Sequence, residues 1–174
     1  MKIIPVATIS AIAATMAASA HAASTPVTRA MDKVEHSDYS TDAMIANNLY
    51  VVPDYIAVHR SEVKYLEVHA KEAAPSIVTR LRSSTPLHGV YTQAIYLRVL
   101  QLSQDPRALP AIADYFDSLP ESRTPTVTPS FLIATRIAKH WLHHDPLFAA
   151  DNDDVVQIFR QRHQVARMLR EVKA

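Results

Sequence analysis

The 174-residue chain contains no cysteine and a single glycine, Gly89, and its 18 Lys and Arg side chains almost cancel 17 Asp and Glu. Without cysteine there is no disulfide scaffold, no thiolate zinc site, no iron–sulfur cluster and no cysteine nucleophile. One glycine is too few for a dinucleotide fingerprint, a P-loop or a nucleophile elbow, each of which needs several positions where φ is positive or a ligand touches backbone. The balanced charge argues against a general affinity for the phosphate backbones of nucleic acids. No serine stands in a G-x-S-x-G elbow, so no catalytic residue and no cofactor is nominated.

Eleven prolines supply the punctuation that glycine does not. Hairpin dipeptides such as Asn-Gly are absent, and the apolar periodicity is close to 3.6, so the expected fold class is all-α. Residues 1–22 have the layout of a cleavable signal peptide: Lys2, an uncharged stretch from Ile3 to Ala20, and Ala20-His21-Ala22 as an A-x-A site. Pro5 and the many alanines and threonines make it a poor membrane anchor, since a span wants about 20 strongly apolar residues. The expected destination is the periplasm, or secretion, with no stable membrane insertion after cleavage. The mature chain would keep 152 residues, with 17 basic and 17 acidic side chains once Lys2 is removed. That length is enough for one domain held by packing alone, without disulfides.

The mature chain reads as a flexible lead over 23–40, in which Val27, Met31 and Val34 suggest a short helix, followed by a single helical-repeat domain over 41–174. Within it, one or two helical turns are expected over 43–49 after a Ser40 or Thr41 cap, and helices over 53–70, 74–82, 90–102, 108–119, 129–143 and 153–172. A strand reading competes at 55–58 and 63–66, where β-prone residues cluster. Thr128-Pro129 and Asp145-Pro146 each pair a capping side chain with a proline at the first helical position. The final helix places acids at its start and Arg160, Arg162, Arg167, Arg170 and Lys173 beyond, the polarity a helix macrodipole favours.

Two internal correspondences stand out. Residues 91–106 align without gaps to 131–146, matching Ala94 with Ala134, Leu97 with Ile137, Leu102 with Leu142, and Asp105-Pro106 with Asp145-Pro146. Residues 72–81 align to 107–116, matching Ala73 with Ala108, Pro75 with Pro110 and Ile77 with Ile112. Offsets of 35 and 40 residues, each about one helix pair, are the mark of an α-solenoid. The run Asp105-Pro106-Arg107-Ala108-Leu109-Pro110-Ala111-Ile112 resembles HEAT-like repeats of the short bacterial type. The resemblance spans about residues 72–150; in the second copy Leu147-Phe148 replaces the Arg-Ala-Leu-Pro run. It implies a short right-handed solenoid of antiparallel helix pairs, with a closely related helical bundle as the alternative.

In such stacks the second helix of a pair lines the concave face. On the side of 108–119 away from Leu109, Ile112 and Phe116 lie Arg107, Ala111, Asp114, Tyr115 and Ser118. The proline-stiffened connection 120–128 adds Glu121, Ser122, Arg123 and Thr124. These eight residues other than Ala111 are the candidate partner-binding set. In its leader, size and helix content the chain is also similar to periplasmic immunity proteins that block peptidoglycan-cleaving effectors. That likeness implies a protein partner, a secreted amidase or muramidase. The rival reading is a small metal- or ligand-binding protein or hydrolase built on His140 and His144, one helical turn apart if the helix runs through both. His59, Glu62, Glu67 and His69 form a weaker acid–base candidate on the 53–70 segment.

Overall fold

The structure is a computed structural model that describes residues 25–46, 52–87, 89–122, 127–148 and 155–173. The expected signal peptide therefore lies outside the described residues. Ten α-helices follow in chain order: α1 (Pro26–His36), α2 (Ser40–Ala46), α3 (Val52–His59), α4 (Ser61–Val68), α5 (Ala70–Leu81), α6 (Val90–Ser103), α7 (Leu109–Ser118), α8 (Pro129–Trp141), α9 (Val155–Arg160) and α10 (Arg162–Glu171). Short 3-10 turns at Pro106–Ala108 and Pro146–Phe148 precede α7 and follow α8. No strand occurs among the described residues, so 55–58 and 63–66 are helical.

Local chemistry explains the helix starts. Thr25, Asp105, Thr128 and Asp145 each accept a backbone amide with their side-chain oxygen, and each is followed by proline. An N-terminal amide lacks an intrahelical acceptor and proline has none to offer, so the pairing leaves fewer orphan donors. Gly89 (φ 81°) and Gln104 (φ 50°) bracket α6 with backbone outside the right-handed region.

Three helix breaks differ from the periodicity. The expected 53–70 helix divides at Arg60, whose backbone is extended (φ −123°, ψ 113°), and again at His69. Arg60 reaches sideways, its Nε donating to Asp42 at 2.8 Å, with the guanidinium 6.0 Å from the Tyr39 ring centre. His69 folds back, donating from Nδ1 to the Tyr65 carbonyl and stacking on the Tyr65 ring at 4.1 Å. Because α5 begins at Ala70, Pro75 sits inside a helix rather than near its start, and the hydrogen bond it would donate is missing. The C-terminal helix expected over 153–172 divides at Gln161, where Arg162 lies over the Phe159 ring at 5.2 Å.

One continuous core runs through the described helices, from Val27 and Val34 on α1 to Leu169 on α10. Phe116, Phe131 and Phe159 meet edge to face in succession, at 6.3 and 5.8 Å, and join α7, α8 and α9. The lead expected over 23–40 thus contains a packed helix whose Val27, Ala30, Met31 and Val34 belong to the core. Polar ties hold it there. Glu35 accepts from Arg80 Nε at 2.8 and 3.0 Å and from the buried Tyr96 hydroxyl at 2.7 Å. Arg80 also donates to Ser83 Oγ, the Thr85 carbonyl and the Pro86 carbonyl, so one guanidinium fixes both α1 and the turn after α5. A second tie joins Tyr39 to Glu62, the hydroxyl donating at 3.1 Å.

Candidate functional site

The α7 surface is built by its own periodicity: Leu109, Ile112, Ala113 and Phe116 go inward, which sends Asp114, Asp117 and Ser118 outward. Ala111, expected on the outward side, is also buried, because α7 is covered by more than one neighbour. Its most extensive packing is with α10. Arg170 donates to Asp114 and Asp117 at 2.8 Å each, His163 is 2.7 Å from Asp117, and Arg82 is 3.0 Å from Asp114. Burial pushes the Asp117 carboxyl up, but hydrogen bonds from His163 and Arg170 outweigh it and hold the group below the ordinary aspartate range. Asp114 is thus engaged in ion pairs between helices.

The other expected partner-binding residues separate into two groups. Arg107 clamps the 105–108 turn, donating three side-chain hydrogen bonds to Asp105 at 2.8–3.1 Å while remaining largely exposed. Tyr115, Ser118, Glu121 and Ser122 lie around the start of the α7–α8 connection. Tyr115 is half-buried, and burial raises its pKa to about 12. Ser118 donates to the Tyr115 carbonyl at 2.7 Å. Glu121 stands almost fully exposed, 3.7 Å from the buried Arg162. Ser122 is exposed, while Arg123 and Thr124 lie outside the described residues. At one end of the connection Glu121 stands near Arg162, and at the other Thr128 caps α8 by accepting from the Phe131 amide.

Asp117, Arg82 and Arg162 were not among the expected site residues. The signal for Asp117 was an acidic i, i+3 pair on α7 and that for Arg162 a basic run on the final helix, while Arg82, at the end of α5, had none. Of that run it is Arg170 that meets the acids of α7 in the same chain.

His140 lies in the last turn of α8, with His143 and His144 just beyond it. α8 stops at Trp141, and Leu142 has left the helical region (φ −111°, ψ 23°), so His140 and His144 do not lie on successive turns of one helix. His143 Nδ1 donates to the His140 carbonyl at 3.0 Å, and His36 does the same to Asp32. Among the described residues no group of three His, Asp or Glu side chains is placed to hold a metal ion. His59 stacks against Tyr55, Glu62 is tied to Tyr39, and Glu67 faces Arg98. Ser61 and Lys64 have S-x-x-K spacing at the start of α4, a pattern sequence reasoning passed over. The Ser61 hydroxyl is directed to Glu62 at 3.4 Å rather than to Lys64, and both Ser61 and Lys64 are exposed.

No described helix is long and apolar enough to cross a membrane. Compared with known proteins, the chain matches no family model, no curated protein and no solved structure.

Proposed function

We propose that this chain is an exported helical recognition module that binds one protein partner through the α7–α8 connection. The observation that carries this reading is that packed helices set both ends of that connection, with Glu121 beside the buried Arg162 at one end and Thr128 capping α8 at the other. A loop held at its stems and stiffened by Pro120 and Pro125 loses less conformational freedom on binding than a free one. We further propose that the helices form a short HEAT-like solenoid. In support, α6 packs along α8, forty residues apart in register, and α10 lies against α7 as a closing helix.

Within this class the reading is an immunity protein of the periplasm that blocks a secreted amidase or muramidase. The expected leader, the size and the helical scaffold support it by analogy. A standard interface of about 1,600 Å² in total is within reach of a domain of this size. The test is capture from periplasmic extract, and inhibition of purified peptidoglycan hydrolases, by the native chain and by a variant with 120–127 replaced by a Gly/Ser linker. Thr128 is kept so that α8 retains its cap. Capture of one hydrolase by the native chain and its loss in the variant is the expected result. An unchanged partner in the loop variant sinks the loop assignment, and a partner that is no hydrolase sinks the immunity reading.

A further inference from the structure

A second surface lies at the far end of α10, about 15 Å along the helix from Arg162 at 1.5 Å per residue. There an open cleft of about 390 Å³ is lined by Trp141, Leu142, His144, Asp145, Pro146, Met168, Glu171 and Val172. Its floor is apolar: an indole, a thioether and two aliphatic side chains, all half-buried. The His140 ring packs edge-on to the indole at 5.4 Å.

Beside the His144 imidazole, its charged lining side chains are two carboxylates. Asp145 and Glu171 both line the cleft, and neither is in an ion pair among the described residues. One Asp145 oxygen caps the 146–148 turn. Arg170, the nearest cation in sequence to Glu171, is held by Asp114 and Asp117 on α7. The backbone adds to this field, because α8 ends at Trp141 and α10 at Glu171, so two helix C-termini, each a partial negative charge, converge on the cleft. Tryptophan is the aromatic side chain that attracts a cation most strongly over its face. An indole, two uncompensated carboxylates and two helix C-termini are complementary to a positive charge carried on an apolar stem.

We propose that this cleft receives a basic side chain, arginine or lysine, presented by a protein partner. The stem lies on Met168 and Val172, the charged head sits against Trp141, and Glu171 and the free oxygen of Asp145 accept its N–H groups. The site is separate from the α7–α8 connection, so its success or failure does not depend on the loop reading.

Trp141 is the single tryptophan of the chain, so its emission reports this cleft alone. The full chain is titrated with acetyl-Ala-Arg-Ala-amide and with the same tripeptide carrying citrulline, which keeps the shape and removes the charge. Expected is a saturable change in emission for the arginine peptide, with a dissociation constant on the order of 1 mM, as suits one anchoring side chain. The citrulline peptide should bind about tenfold more weakly or not at all, and added salt should weaken only the arginine peptide. In the pair Asp145→Asn with Glu171→Gln, where asparagine retains the cap, affinity for arginine should fall about tenfold. Equal responses to the two peptides, no saturable change with arginine, or unchanged affinity in the folded double variant would each overturn the proposal. If the double variant does not fold, the comparison of peptides on the native chain decides. Replacing 120–127 should leave this titration unchanged.

Discussion

Glu35→Gln tests whether α1 belongs to the folded unit through a charged hub rather than through apolar contact alone. The carboxylate accepts two hydrogen bonds from Arg80 and one from Tyr96, and the side chains of the pair are only 17% and 19% exposed. Breaking a fully buried pair costs about 3–5 kcal/mol. The residual exposure lowers that figure, and the glutamine oxygen still accepts from Arg80 or Tyr96, so about 2–3 kcal/mol is expected. For a chain of this size that is a fall in melting midpoint of about 4–12 °C. Tyr96→Phe should cost less, about 1 kcal/mol, and the double variant should fall short of the sum because both substitutions act on one oxygen. The acid limb supplies a second reading. Burial pushes Glu35 upward, but hydrogen bonds from Arg80 and Tyr96 and the Arg80 charge outweigh it, so the folded-state value lies below the ordinary 4.5. A carboxyl depressed on folding stabilises fully above its ordinary value, and that contribution is lost as pH falls through the folded value. The gap between native chain and variant should therefore be complete at neutral pH and narrow below about pH 4.5. Thermal melts followed by far-UV circular dichroism measure both. A midpoint shift below about 2 °C, or a gap that stays constant on acidification, would refute the reasoning.

Two further substitutions separate burial from strain. Glu67 Oε1 is buried without a hydrogen-bond partner, and its 3.7 Å approach to Arg98 Nε is too long to supply one. Burial, then, raises the Glu67 carboxyl despite the nearby guanidinium. A carboxyl raised on folding stabilises only below its unfolded value and loses that as pH rises through the folded one. Glu67→Gln should therefore leave neutral-pH stability unchanged or raise it by up to about 1 kcal/mol, since Arg98 keeps Asp54 at 2.7 Å and Gln101 at 3.0 Å. Chemical denaturation showing a loss beyond about 1 kcal/mol would contradict this. Gly89→Ala should cost about 1–3 kcal/mol from backbone strain alone, because φ is +81° while the nearest atom to an added Cβ, Thr92 Oγ1, stands 3.9 Å away. A neutral result in the same denaturation experiment would show that the position relaxes.

The fold was legible where local chemistry decides it. Thr128-Pro129 and Asp105-Pro106 start structure as their side chains dictate, and the apolar spacing of 90–102 and 129–143 finds helices close to their observed bounds, the second ending two residues earlier at Trp141. Periodicity could not find the breaks at Arg60 and His69. The apolar positions Ile56, Val63, Leu66 and Ala70 continue through both, whereas the breaks coincide with side chains bonding elsewhere, Arg60 to Asp42 and His69 back to Tyr65. The helix over 26–36 was half visible in Val27, Met31 and Val34. Its place in the core depends on Glu35 meeting Arg80 across 45 residues, a contact no local window contains.

The same limit explains the candidate site. Spacing reveals that Asp114 and Ser118 leave the core through α7, but not whether another helix then covers them. The acidic pair Asp114 and Asp117 and the basic run of the final helix were each visible as stripes of one charge. Their pairing is a docking event between segments more than forty residues apart, in which Arg170 serves both acids and His163 serves one. Once α10 is seated, the concave-face reading loses Asp114 to internal pairs, while the far end of the same helix carries Glu171 away from Arg170 and into the Trp141 cleft. The side chains that close α7 thus separate the two surfaces proposed for recognition: the connection whose Glu121 stands near the Arg162 end of α10, and an acidic, tryptophan-floored cleft at its Glu171 end.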